Sequence, residues 1–164
     1  LYTKAAGRDL ILAASMAGMK VGAYHYSYAL TPEEAEEEAR FCLSILEPYK
    51  SLIDYPIAFD IEREEHQNLT EEELTAVVDA FCAVIAEAGY TPIVYTYDSW
   101  LRHHPGWEQL QHYDIWNANW AGEPQADYDY VIWQHSNQGQ VDGISGTVDL
   151  NHAFCDYEKG KKLG

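Results

Sequence analysis

The chain has 164 residues, enough for one domain with a sizeable core, and 47% of them are hydrophobic, the share of a globular protein rather than a disordered one. It carries 27 Asp and Glu against 10 Lys and Arg, a net charge of −17 that argues against nucleic acid, which needs a basic footprint, and against anionic membrane surfaces. No apolar run approaches the roughly 20 residues of a membrane span, and no secretory signal pattern stands at Leu1 and the residues after it.

Residues 3–18 read as a helix with Ala5, Leu10, Ile11, Ala14 and Met16 among its apolar positions, stopped at Gly18. Val21–Tyr28 follows as a strand rich in β-formers. Thr31 then opens a second helix as a capping box, with Pro32 at the first helical position and Glu34 at the third. Ala35, Ala39, Phe41, Cys42 and Ile45 are its apolar positions, and the acidic run from Glu33 to Glu38 reads as a solvated face. Tyr55–Glu62 is the next strand. Thr70 and Glu73 form another capping box, and that helix runs to Gly89 with Val77, Val78, Phe81, Cys82, Val84 and Ile85 facing the core. Tyr90–Tyr97 is a strand again.

Helix, glycine stop and strand thus occur twice, at Gly18 and at Gly89, the rhythm of parallel β/α units with helices outside the sheet. After Tyr97 the rhythm changes. Asp98–His104 makes one short helix before Pro105, Ile115–Trp120 and Tyr130–His135 are strands with little room for helices, and Val148–Leu150 is a last short strand in a glycine-punctuated end. Cys42, Cys82 and Cys155 are odd in number and lack a CxxC spacing; the first two read as buried thiols, and no metal site or cofactor is expected. The fold class is α/β, an irregular barrel of parallel units followed by shortly connected strands.

Chemistry concentrates in the stretch YPIAFDIE. Side chains alternate along a strand, so Asp60 and Glu62 share one face while Phe59 and Ile61 share the other, with the acids' Cα atoms roughly 7 Å apart. The duller reading is a solvated strand end, since Arg63, Glu64 and Glu65 follow at once. In barrels of parallel units the site lies at the C-terminal ends of the strands. Those ends supply Tyr24 and Tyr26, Asp60 and Glu62, Tyr95 and Tyr97, Trp116 and Trp120, Gln134 and Asp149. A rim of carboxylates, aromatic rings and one amide suits a glycan, although each tyrosine could equally fill the barrel. Trp133 is expected in the wall, His25 as a hydrogen-bonded core histidine, and His103-His104 without a role.

Six stretches in order, VGAYHYSY, FDIE, AGYTPIVYTY, DIWNANW, VIWQHS and VDLN, resemble glycoside hydrolase family 25, the muramidases or lysozymes. The resemblance implies an irregular TIM-like β/α barrel that cuts peptidoglycan glycan strands at the β-1,4 bond between N-acetylmuramic acid and N-acetylglucosamine. It implies Glu62 as general acid, Asp60 steadying the substrate's N-acetyl group, and Asp149 as a further acidic residue. Tyr24, Tyr95, Tyr97, Trp116, Trp120 and Gln134 would line the cleft. An apolar wall and the neighbouring Asp60 should raise the proton affinity of Glu62. The wall lies outside the cell, so a secreted or phage-released protein follows from the substrate.

The family's first strands, one with an Asp-Val-Ser-like motif, have no counterpart ahead of residue 3. Residues 1–164 are therefore expected to form a single, N-terminally incomplete domain with exposed sheet edges through which copies could associate. Two other readings stand beside lysozyme. A glycan-binding module with impaired catalysis would keep the aromatic cleft, and a barrel hydrolase for another N-acetylated glycan would keep the acids.

Overall fold

In a computed structural model, which describes residues 4–157 and 161–162, local sequence signals set most of the helix boundaries. Helix α1 spans Lys4–Met16 and is followed by Gly18 at φ +74°, a left-handed conformation that suits glycine. The side chain of Ala5 lies outside the described residues. Leu10 and Met16 are exposed rather than packed, and α1 rests chiefly on the turn at Glu47–Leu52. Helix α2, Pro32–Leu46, begins with both halves of the capping box: Thr31 Oγ1 accepts the Glu34 N–H, and the Glu34 carboxylate accepts the Thr31 N–H. Helix α3, Glu71–Glu87, repeats the device with Thr70 and Glu73, and Gly89 (φ +88°) ends that unit. Helix α4 is short, Asp98–His103.

Six strands form one sheet: β1 (Ala23–Tyr26), β2 (Ile57–Asp60), β3 (Pro92–Tyr97), β4 (Asp114–Ala118), β5 (Ile132–Gly139) and β6 (Val148–Ala153). Their spatial order follows the sequence; the first five are parallel, and β6 turns back antiparallel onto β5. The sheet curls into a half-barrel, so residues from β1 and from β6, its two edges, line one concave face. Strands β1 to β4 are shorter than their sequence patterns, because flanking apolar residues bond elsewhere. The Val21 carbonyl, for example, accepts the N–H groups of Asp54 and Tyr55. Strands β5 and β6 run further than expected, with register shifts between Gln134 and Gly139. Gly139 permits that passage, since a Cβ there would lie 2.3 Å from Leu150 Cγ.

The core lies between the convex face of the sheet and the helices. Helix α3 buries Leu74, Val77, Val78, Phe81, Cys82 and Ile85, the three-four spacing of one helical face. Helix α2 buries Ala35, Ala39, Cys42 and Leu46, so its buried stripe misses Phe41, which faces solvent, and leaves Ile45 half-buried. Phe81 stacks on Phe59 with ring centres 4.1 Å apart, and His25, beside Phe59 on the neighbouring strand, stacks on Phe81 at 5.7 Å. Each such aromatic ring buried is worth about 1.5–3 kcal/mol by transfer alone. Cys42, Cys82 and Cys155 are all buried, and none of them forms a disulfide with another described cysteine.

One acidic residue departs from the solvated face expected of Glu33–Glu38. Glu38 turns inward, accepting from Ser27 Oγ and the Tyr28 N–H at 2.8 Å each, with His25 Nε2 at 3.2 Å. Burial alone would raise its carboxyl, but the contacts with His25, Tyr28 and Ser27 together hold it below the usual range.

Candidate active site

Strand β2 is buried along its whole length, and its alternation divides two environments. Phe59 and Ile61 enter the helix-covered core, whereas Ala58 and Asp60 belong to the concave face. Glu62 lies past the end of the strand rather than within it. The alternation nevertheless persists, because the Ile61 N–H still donates to the Tyr95 carbonyl at 3.0 Å and keeps the exit extended beside β3. Both acids therefore reach the same cavity, of about 190 Å³.

Every strand of the six-stranded sheet contributes to that cavity. Tyr24 and Tyr26 come from β1, Asp60 and Glu62 from β2 and its exit, and Tyr95 from β3. Trp116 stands on β4, Gln134 on β5 and Asp149 on β6. The two remaining residues singled out from the sequence stand just behind this lining. The Tyr97 hydroxyl donates to the Glu62 carboxylate, and the Trp120 indole packs edge-on against Tyr97 with ring centres 5.8 Å apart.

A second ring of hydrogen bonds sets the orientation of the lining. Gln134 Oε1 accepts from Tyr95 Oη at 3.1 Å and from Trp120 Nε1 at 2.9 Å, so two donors fix which way the buried amide faces. Trp116 Nε1 donates to Asn151 Oδ1 at 2.8 Å. Tyr26 stands on the rim read from the sequence but outside the set that the resemblance implies, and Asn151 stands in neither. Tyr26 follows Tyr24 by two positions, and Asn151 follows Asp149 by two, so strand period was the signal for both.

Of the two carboxyl groups, that of Asp60 lies deeper in the wall. Asp60 is 5% exposed, its Oδ1 has no hydrogen-bond partner, and burial together with the Glu62 charge pushes its pKa up to about 8. Glu62 is half-buried at the mouth and is held by Tyr97. Burial, with the nearby acids adding to it, also raises the phenols of Tyr26, Tyr95 and Tyr97, which therefore stay neutral hydroxyl donors.

Further along the concave face lies an apolar cavity of about 300 Å³ floored by Ala58, Ile93 and Ile132, which shares Tyr24 and Trp116 with the acidic one. Trp133 is half-buried and donates to the Asn119 carbonyl at 3.0 Å. His104, expected to be idle, has a structural part: its ring bonds to the Leu69 carbonyl and to the Gly106 N–H. Among the described residues no three His, Cys, Asp or Glu side chains are arranged to hold a metal ion, and no helix is long and apolar enough to cross a membrane.

Residues 3–144 match the family described as glycosyl hydrolases family 25. The chain belongs to that family. It is 29% identical over 164 residues to the autolytic lysozyme of Clostridium acetobutylicum, covering 99% of this chain and 47% of the relative. The modular autolysin LytC of Streptococcus pneumoniae has a similar structure, with a TM-score of 0.74 at 25% identity over 87% of this chain and 36% of LytC. LytC has also been solved in complex with a synthetic peptidoglycan ligand. GHIP, a glycosyl hydrolase 25 of the same bacterium, shares the fold at a TM-score of 0.78 and 19% identity, over 94% of this chain and 69% of that one. The chain thus spans about half the length of its clostridial relative.

Proposed function

We propose that the acidic cavity is the catalytic site of a muramidase, which hydrolyses the β-1,4 bond between N-acetylmuramic acid and N-acetylglucosamine in peptidoglycan. One observation carries this reading. Two carboxyl groups open into a single aromatic cavity, and burial together with their mutual repulsion retains a proton on the pair at neutral pH. A glycosidase needs that proton for the leaving oxygen. Membership of family 25 and the peptidoglycan ligand of LytC support the substrate class.

Both acids leave β2 on one side of the cleft, which suits hydrolysis assisted by the substrate's own acetamide better than two carboxylates facing each other across the bond. In the free protein burial favours the proton on Asp60. When a glycan binds, the acetamide N–H would donate to Asp60 Oδ1, the oxygen without a partner. That bond favours ionised Asp60, and the new charge favours protonated Glu62 by the same coupling. Glu62 then gives its proton to the glycosidic oxygen as the bond from that oxygen to the anomeric carbon breaks. The acetamide oxygen bonds to the anomeric carbon, and Asp60 balances the positive charge on the resulting ring. Water adds to the anomeric carbon as that carbon's bond to the acetamide oxygen breaks and the N-acetyl group is restored, and the water gives a proton back to Glu62, with net retention of configuration. Tyr95, Trp116 and Gln134 form the wall against which the sugar rings stack and bond.

The second reading is a glycan-binding module without turnover. It draws on the two sheet edges at β1 and β6, which leave the cleft wall open among the described residues. Digestion of purified peptidoglycan by the chain and by Glu62→Gln, with fragments read by mass spectrometry, separates the two. Reducing-end muramic acid from the parent alone supports the muramidase, while glycan retention without cleavage by either protein supports the module. An inverted product anomer would rule out assistance by the acetamide.

A further inference from the structure

From the hydrogen bonds around the start of α4 we infer that Asp98 is a positioning residue for the glycan cleft, holding the segment after β4 so that Trp120 meets Gln134. The inference rests on the cleft's reading as a glycan site, but its structural half does not.

Asp98 is 2% exposed and follows Tyr97 directly. Its Oδ1 accepts the Gln125 N–H at 2.8 Å, the Ala126 N–H at 2.9 Å and Asn117 Nδ2 at 3.2 Å. Its Oδ2 accepts Arg102 Nε at 2.9 Å. Capping a six-residue helix does not require this arrangement, because two of the four donors belong to a loop 27 and 28 residues further along the chain. Burial alone would raise the Asp98 carboxyl, yet the bonds from Ala126, Gln125, Asn117 and Arg102 together hold it below the usual range, so it is ionised at neutral pH.

What that charge holds is one side of the cleft. The loop leaves β4 at Asn119, whose own bonds to Gln134, Ala121 and Glu123 fix its beginning. It returns to Asp98 at Gln125 and Ala126. Between the two anchors stands Trp120, 45% exposed, donating to Gln134 and packed on Tyr97. Tyr97 in turn donates to Glu62 and has Trp100 of α4 edge-on at 6.1 Å. One buried carboxylate thus joins the backbone of the Trp120 loop to the segment that carries Tyr97 and Trp100. Asp98 touches neither acid and has no part in proton transfer; its effect is on where the aromatic wall stands.

The test compares Asp98→Ala, Asp98→Asn and Arg102→Ala with the parent. The first readout is nitrogen-15 NMR of the tryptophan indole N–H groups, with the Trp120 signal assigned by Trp120→Phe. In Asp98→Ala the Trp120 signal should shift and exchange with water at least roughly tenfold faster, while Trp107 and Trp116 keep their positions. Asp98→Asn keeps an oxygen for the loop and should fall between. Arg102→Ala removes only the outer partner and should leave Trp120 unmoved. Should Asp98→Ala fail to fold, the contrast between the other two decides.

The second readout is hydrolysis of a soluble tetrasaccharide of alternating N-acetylglucosamine and N-acetylmuramic acid. KM should rise about tenfold in Asp98→Ala with kcat within about threefold of the parent, a split that general destabilisation would not produce. An unmoved Trp120 signal, or all the indoles shifting together, overturns the inference. So does a fall in kcat at constant KM. If the parent neither binds nor cleaves the tetrasaccharide, the muramidase reading fails, and the indole signals alone decide what Asp98 holds.

Discussion

The two sides of β2 place opposite demands on one short run of backbone. On the convex side Phe59 and Ile61 are fully buried, and Phe59 lies against Phe81 in a core closed by α2 and α3. On the concave side Asp60 is nearly as buried, yet one of its oxygens has no partner, and its proton affinity is far above that of a free carboxyl. Burial on the first side stabilises the fold. On the second it destabilises the fold and creates a proton that chemistry can use. The difference shows where the molecule's stability lies and where it is given up.

That contrast can be broken from either side. Glu62→Gln should lower the rate of peptidoglycan cleavage by roughly 10²–10⁴ and leave Tm nearly unchanged, because the residue is half-buried at the mouth and the amide keeps its shape. Phe81→Ala should do the reverse. It removes a fully buried ring, costing about 3–5 kcal/mol and lowering Tm by roughly 6–20 °C, but at a temperature where the variant is folded the acids are untouched and cleavage should persist. Equal loss of activity in the folded Phe81→Ala protein would show that the two faces are not separable.

Asp60→Asn sharpens the comparison through pH. The carboxyl's pKa is about 8 in the folded chain against an ordinary 3.8. Between these values the unfolded chain binds fewer protons, so stability falls as pH rises through the window, and the penalty is absent below it. Asparagine cannot ionise. The variant should therefore melt higher than the parent at about pH 8, by roughly 10–20 °C for a gain of about 5 kcal/mol, and no higher at about pH 3.5. A gain of equal size at both pH values would assign it to packing instead. The smallest effect belongs to the capping boxes: Thr31→Ala should cost about 1 kcal/mol, near 2–4 °C in Tm, with cleavage unchanged.

How much of this was legible in the chain depends on the range of the interaction. The capping boxes at Thr31 and Thr70 and the glycine stops at Gly18 and Gly89 are contained within a few residues, and each stands where its pattern predicts. The facing of Asp60 against Phe59 follows from alternation, a property of two neighbouring residues. Strand ends were less legible, since they depend on which partner the next N–H finds; Val21 bonds to Asp54 and Tyr55 instead of extending β1. Glu38 looked like one more acid on a wet face. Its inward turn depends on Ser27, Tyr28 and His25, which helix periodicity cannot report.

For the site the division is similar. Sequence by itself determined which residue types stand at the strand ends, which face each takes, and, through six ordered stretches, the family. Only the tertiary structure decided that strands at the two edges of a curled sheet line one cavity, that Asp60 lies deeper in the wall than Glu62, and that Asp98 holds a loop far along the chain. The physical reason is that helix caps and strand alternation are set by covalent neighbours. Desolvation and long-range hydrogen bonds depend on which distant atoms displace water around a group, and that is settled only when the sheet curls and the helices close over it.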